Sequence, residues 1–385
     1  MKTNKISSSQ LMKMKNQAVT IVALPTIFSA LALVASIGLS TQLVAQLPQC
    51  PTSANVSVFA TGLNNPRGLK FGPDGNLYVA EGGIGGMDPA CVVNPAVGPY
   101  TGSPTNARVS RIINGVPTPV GDPLPSSQTN AASGSLISGV SDVAFIGNTL
   151  YALIAGAGCS HGVPTIPNEV IRLNDDGSWF QIADLSAYQK ANPVKNPDLA
   201  DFDPDGTWYS MIAVRGDLYA VNPNHQELVR ISPTTGEVRR VVDISVTYPG
   251  DTNWVGPTAI ALHGNFYVGT LNPFPIVEGS SKILKITPSG NIKVAAEGLT
   301  TVVGVAFDER ARMYVLENTT GNPFPTPCTG QVVRIDPSGK KTVIASGLFL
   351  PTAMTFGPDG ALYVSNVGFG PPPVGLGQIL KITVP

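Results

Sequence analysis

The sequence predicts an all-β chain folded as a six-bladed β-propeller, with four antiparallel strands in each blade. Three observations carry this reading. A strand-turn-strand unit recurs six times along the chain. Each copy is followed by an apolar strand bearing Arg or Lys, with a Gly-containing turn after all but the last. The two ends of the chain hold complementary fractions of one unit. Recurrence of a four-strand unit at about 47 residues is the signature of a propeller blade.

The clearest copy is residues 66–82, PRGLKFGPDGNLYVAEG. Leu69 and Phe71 alternate with Gly68 and Lys70, as in a strand. Pro73, Asp74 and Gly75 supply a tight turn, because Pro presets φ and Gly accepts φ > 0. Leu77, Tyr78 and Val79 follow as an aromatic and β-branched run, apolar enough for burial on both faces. The unit returns almost verbatim as residues 351–366, PTAMTFGPDGALYVSN. Aligned on the second-strand Tyr, the series is Tyr78, Tyr151, Tyr219, Tyr267, Tyr314 and Tyr363, with spacings of 73, 68, 48, 47 and 49 residues. Third strands are RVSRII at 108–113, EVIRL at 169–173, ELVRI at 227–231, KILKI at 282–286, QVVRI at 331–335 and QILKI at 378–382. Turns such as Asn114-Gly115 and Ser289-Gly290 then lead into fourth strands. The sixth unit stops at its third strand, whereas residues 56–62 read as a spare fourth strand. The N-terminal strand is therefore expected to complete the last blade and close the ring, which removes an open sheet edge.

Composition agrees. The chain has 385 residues, 41 Gly and 35 Pro, yet 43% hydrophobic residues, which suits many short strands and turns and not a disordered chain. Charged residues make up 13%, with a formal net charge of −1 and no basic patch, so nucleic acid is excluded as a partner class. The first 73 residues contain no Asp or Glu, and Lys2, Lys5, Lys13 and Lys15 precede an apolar run over about 18–39. Leu43, Val44 and Ala45 then offer a cleavage site, so residues 1–45 read as a secretory signal and 46–54 as a short N-terminal segment before the propeller at 55–385. An uncleaved anchor is the alternative. Cleavage would leave no stable membrane span, a secreted or periplasmic chain, and a charge of (24 − 4) − 25 = −5.

Four Cys in an exported chain fit two disulfides, and four Cys allow three pairings. The extra length of the early units falls in residues 82–107, 121–138, 155–168 and 185–206, with shorter insertions at 271–280 and 318–330. The link between strands two and three of a blade lies on the same disc face as the lead-in to strand one, so these loops crowd one mouth, where function concentrates. Cys91 and Cys159 sit in loops of neighbouring blades and would staple them, which leaves Cys50 with Cys328.

The pattern of residues 66–82 resembles six-bladed propellers of the NHL, gluconolactonase and strictosidine-synthase type. VFATGLNNPRGL at 58–69, AEGGI at 80–84 and the closing repeat resemble, more narrowly, the ScyD/ScyE family of secreted cyanobacterial proteins. That resemblance implies an exported propeller associated with sunscreen-pigment gene clusters and no defined reaction.

The position three after each anchoring Tyr reads Glu81, Ile154, Asn222, Thr270, Glu317 and Asn366. If these converge on the axis, Glu81, Asn222, Glu317 and Asn366 would offer hard oxygen ligands suited to Ca²⁺ or another divalent ion. They are similar in kind to the ion ligands of gluconolactonase-type propellers, although Ile154 and Thr270 interrupt the set and no catalytic acid has a counterpart. Arg67, Asp142 and Tyr209, from the strand-one lead-ins, join them as candidate ligand-binding residues at the mouth. Ser160, His161 and Asp142 compose a nominal Ser/His/Asp set without a Gly-x-Ser-x-Gly elbow. His161 alone would serve as a general base or bind a quinone-type cofactor as in sugar dehydrogenase propellers, whereas His225 and His263 read as structural. Phe274, Phe324 and Phe369, each near prolines in corresponding loops, would rim the mouth for an aromatic ligand. The expected function is thus a binding or accessory propeller for an aromatic or phenolic small molecule or a protein partner. The alternatives are a metal-dependent lactonase-like hydrolase and a quinone-dependent dehydrogenase.

Overall fold

A computed structural model describes residues 49–93, 98–129, 136–199, 202–248, 255–272, 275–368 and 374–385. The expected signal at 1–45 lies outside these residues. Among the described residues no helix is long and apolar enough to cross a membrane.

Six antiparallel sheets form the six blades. Blade one holds Pro66–Phe71, Leu77–Glu81, Thr101–Ile113 and Val116–Gln128, and blade two Val140–Ile146, Thr149–Ile154, Glu169–Leu173 and Trp179–Asp184. Blade three holds Ser210–Val214, Asp217–Asn222, Glu227–Ile231 and Val238–Asp243, and blade four Gly256–His263, Asn265–Leu271, Ser281–Ile286 and Ile292–Leu299. Blade five holds Val302–Phe307, Met313–Glu317, Gly330–Ile335 and Lys341–Leu348. Blade six has three strands of its own, Ala353–Phe356, Leu362–Asn366 and Gly377–Ile382, and takes Val56–Leu63 as its fourth, with Val56 opposite Ile382 and Val58 opposite Leu380. The ring is closed as the repeat predicts.

The core is divided into six apolar clusters, one at each junction between successive blades. A blade buried on both faces has no other way to hide its apolar residues, and each junction needs only its two neighbouring blades to fill it. The recurring Tyr has a defined part in five junctions. Tyr78 meets Phe145, Tyr219 meets Phe266, Tyr267 meets Phe307, Tyr314 meets Phe356 and Tyr363 meets Phe71, with ring centroids 4.7–5.2 Å apart. Each pair joins one blade to the next, mostly edge to face, the arrangement that suits aromatic quadrupoles. Three of these Tyr hydroxyls also donate to an Asp of the turn that precedes their strand: Tyr78 to Asp74 at 3.0 Å, Tyr314 to Asp308 at 3.2 Å and Tyr363 to Asp359 at 3.0 Å. The Asp-bearing turn and the Tyr are thus one unit.

Two disulfides staple parts of the ring. Cys91–Cys159 joins the blade-one insertion to blade two, with Cα atoms 5.3 Å apart, and Cys50–Cys328 joins the segment before the closing strand to a blade-five loop, at 5.2 Å. The insertions differ from expectation in two places. Residues 101–107 and 121–128, read as loops, extend the outer hairpin of blade one to 13 residues on each side. Pro117, Pro119, Pro123 and Pro125 lie in the outer strand of this hairpin, because an edge strand leaves half its N–H groups unpaired and so tolerates proline. Residues 185–191 form a helix, capped by Asp184, whose carboxylate accepts from the Ala187 N–H at 2.7 Å.

Tyr363 stands where the ring closes, with Phe59 of the closing strand and Phe71 of blade one each 4.9 Å from its ring. Tyr363→Ala should lower stability by about 3–5 kcal/mol in urea unfolding, as aromatic truncation in a core does. Tyr363→Phe, which loses only the bond to Asp359, should cost about 0.5–1.5 kcal/mol. Equal losses from the two variants would show that the hydroxyl, not the ring, holds the seam.

Candidate functional site

At the insertion-rich mouth lies a cavity of ≈ 130 Å³ between blades one, two, three and six. Arg67 and Gly68 start strand one of blade one, residues 136–141 lead into blade two, residues 207–210 lead into blade three, and Thr352 and Ala353 come from blade six. Tyr100, from the blade-one insertion, folds over the same space. A second, wider space of ≈ 420 Å³ is lined mainly by apolar residues of all six blades, with Lys70 as the single charged residue among the described residues of that lining.

The mouth cavity has an aromatic and aliphatic wall with few polar groups. Trp208 is 1% exposed, and its indole N–H has no acceptor among the described residues. Arg67 donates to the Ile137 carbonyl and bonds to the Tyr209 side chain. Burial pushes the Arg67 pKa down, against the pull of Tyr209 and Tyr100, and it pushes the Tyr209 hydroxyl up, against the pull of Arg67. Asp142 lies directly behind the wall. A Cβ on Gly68 would stand 1.8 Å from its Oδ1, so only glycine lets the first blade approach this carboxylate. Asp142 accepts from the Met211 N–H at 2.7 Å, the Val143 N–H at 2.8 Å and the Ser210 hydroxyl at 3.0 Å, tying blade two to blade three. Burial raises its pKa, and the nearby Lys70 is the largest opposing influence.

Of the residues proposed from sequence, Arg67 and Tyr209 line this cavity and Asp142 backs it. Glu81, Asn222, Glu317 and Asn366 do not line it. Three of these close a latch at the turn that leads into their own blade. Glu81 accepts the Asn64 N–H at 2.6 Å, Glu317 the Thr300 N–H at 2.6 Å, and Asn366 the Phe349 N–H at 2.8 Å, each across 17 residues. The residue after each donor, Asn65, Thr301 or Leu350, has a left-handed backbone with φ of 50°, 46° or 43°. Such residues cost about 1–3 kcal/mol when not glycine, and the latch holds the turn that contains them. Each latch side chain makes further hydrogen bonds. Arg108 and Ser110 donate to Glu81 at 2.7 and 2.5 Å, Gln331 donates to Glu317 at 2.5 Å, and the Asn366 amide donates to Gln378 at 3.2 Å. Asn222 is held differently, by donating to Gln189 of the short helix at 2.7 Å. The side-chain oxygens of Glu81, Glu317 and Asn366 already face fixed donors, and no group of three or more His, Cys, Asp or Glu among the described residues is arranged for a cation.

The Ser/His/Asp idea is corrected in its members. Ser160 donates to Asp203 at 2.7 Å and Asp205 at 2.8 Å, and His161 Nε2 lies 3.0 Å from Asp203, whereas Asp142 is elsewhere. His161 Nδ1 pairs with the Ser127 hydroxyl at 2.9 Å, and its ring rests on Tyr100 at 4.4 Å. Ser127, Ser160, His161 and Asp203 have no exposed surface, so the cluster binds the insertions of blades one, two and three together and presents no nucleophile or base to the mouth. Burial raises the Asp203 pKa less than His161, Ser160 and the Asp205 N–H together lower it. His225 is pushed down to about 4 by burial and stays neutral. Phe324 is exposed, and Phe274 and Phe369 lie outside the described residues. Sequence reasoning missed Trp208, although it adjoins Tyr209, and Tyr100, which was read only as part of a loop.

No known protein family's profile matches the chain, and no curated protein sequence does. Solved structures share the fold. A PQQ-bound aldose sugar dehydrogenase from Streptomyces coelicolor is 13% identical, with 88% of this chain and 100% of that one covered and a TM-score of 0.50. A protein described as an oxidoreductase (glucose dehydrogenase), from Thermus thermophilus, is 16% identical, covering 85% and 99%, at 0.50. A gluconolactonase from Xanthomonas campestris is 10% identical, covering 85% and 89%, at 0.48. The likeness is one of fold: the chain is a six-bladed β-propeller.

If Glu317 is a latch and not a metal ligand, Glu317→Ala should destabilise by about 1–3 kcal/mol, the cost of orphaning a buried N–H. EDTA should leave the wild-type melting temperature unchanged. A melting temperature that falls on chelation and recovers with added Ca²⁺ would overturn the latch assignment.

Proposed function

We propose that the chain is an exported accessory propeller that binds a small aromatic or phenolic molecule in the mouth cavity beside Arg67, Tyr100, Trp208 and Tyr209. The observation that carries this reading is the cavity wall, in which three aromatic rings meet a few convergent polar groups, the usual composition of a small-molecule site. Export is supported by the Lys-led apolar N-terminus and by two disulfides, which persist in oxidising compartments. The resemblance of residues 58–69 and 80–84 to the ScyD/ScyE family supports an accessory role in extracellular pigment metabolism. A protein partner at the insertion-rich face is the form this role takes if no small molecule binds.

The sugar dehydrogenases that share the fold favour a second reading, an enzyme acting on a sugar-derived substrate at the same mouth. Neither His161 nor the Glu81 group is available to it in the way the sequence suggested, so its acid or base would have to come from Tyr209 or Arg67.

Titration with a panel of single-ring and two-ring phenols, read by tryptophan fluorescence, separates the readings. Micromolar quenching that is lost in Trp208→Phe and weakened about 2- to 12-fold in Tyr100→Ala is expected, since stacked aromatic contacts contribute about 0.5–1.5 kcal/mol each. Absence of quenching, together with lactone hydrolysis or PQQ-dependent dye reduction, would replace the binding role by the enzymatic one.

A further inference from the structure

We infer that the mouth cavity takes its ligand as an anion, specifically a single-ring aryl carboxylate, with Arg67 and the Trp208 N–H receiving the carboxylate. The inference rests on the binding role proposed above and names the ligand class.

Two independent features point to an anion. Arg67 is a cation at the cavity wall, and among the described residues no carboxylate stands within ion-pair distance of it; its own partners are a carbonyl oxygen and a phenol. The nearest acid behind the wall, Asp142, is bound by Met211, Val143 and Ser210 and has Lys70 as its charged neighbour. Trp208 lines the same cavity with a fully buried N–H that finds no acceptor among the described residues. A buried donor without a partner costs about 1–3 kcal/mol, so an acceptor that reached this N–H would be favoured. A carboxylate supplies two acceptor oxygens and the missing charge, which a neutral phenol does not.

Size and wall composition choose the rest of the molecule. The cavity is ≈ 130 Å³, and its lining includes Tyr100, Leu136, Ile137 and Val140. An apolar cavity of roughly 150 Å³ holds one benzene. One ring therefore fits, and a fused or dimeric aromatic does not.

Isothermal titration with benzoate, benzamide and phenol, in buffer of fixed ionic strength, tests this. Benzoate should bind about 10- to 150-fold more tightly than benzamide, the range for a hydrogen bond to a charged group. Arg67→Met should abolish that gap, and Trp208→Phe should weaken benzoate by about 2- to 12-fold. Equal affinity for benzoate, benzamide and phenol would overturn the anion inference and leave the aromatic pocket standing. Binding by none of the three would remove both. If Arg67→Met fails to fold, as read by its thermal melt, the wild-type benzoate-to-benzamide ratio decides by itself.

Discussion

The structure depends on closing a ring with a strand from the other end of the chain. Val56–Leu63 pairs with Gly377–Ile382 across more than 300 residues of sequence, and the two ends meet only when six blades are in place. Closure pairs the last sheet's open edge, and it locks blade six against blade one, the junction that places Arg67 beside Thr352. Loop-closure entropy makes so remote a pairing costly. Tyr363 between Phe59 and Phe71, and the Cys50–Cys328 bond just before the closing strand, both act at or near that seam.

The ring also explains why the polar residues of the repeat are where they are. A propeller turns sharply from each blade to the next, and at three junctions the turn uses a non-glycine residue in the left-handed region. The side chain that ends strand two then accepts an N–H of that turn. Glu81, Glu317 and Asn366 therefore recur because the turn recurs. Their regular spacing, which suggests a shared ion, is the spacing of the fold itself.

Fold and site were legible in the sequence to different degrees, for physical reasons. Blade number, strand order and ring closure follow from residues 56–62 and the Tyr series, because repeated burial imposes repeated sequence, and the structure selects Cys91–Cys159 and Cys50–Cys328 from the three pairings the Cys positions allow. The site does not repeat. Arg67 and Tyr209 were visible as lead-in residues, but Trp208 and Tyr100 line the cavity through contacts between an insertion and a neighbouring blade. The buried pairing of His161 with Asp203 and Ser127 joins three separate insertions and has no local signature either. The continuation of the blade-one fourth strand over residues 121–128 was read as a loop, and its prolines are tolerated there because the strand lies at an outer edge.

The propeller holds two chemically different cavities: an aromatic mouth holding Arg67, and an apolar space along the inner strands holding Lys70. Both offer a positive charge, so charge alone does not say where an aryl anion would sit; the buried indole N–H and the matching cavity size do. A crystal structure of the full chain with bound benzoate tests this most directly. The account predicts the carboxylate within hydrogen-bond distance of Arg67 and Trp208 Nε1 with its ring against Tyr100. Density for benzoate at Lys70 with the mouth unchanged would contradict it.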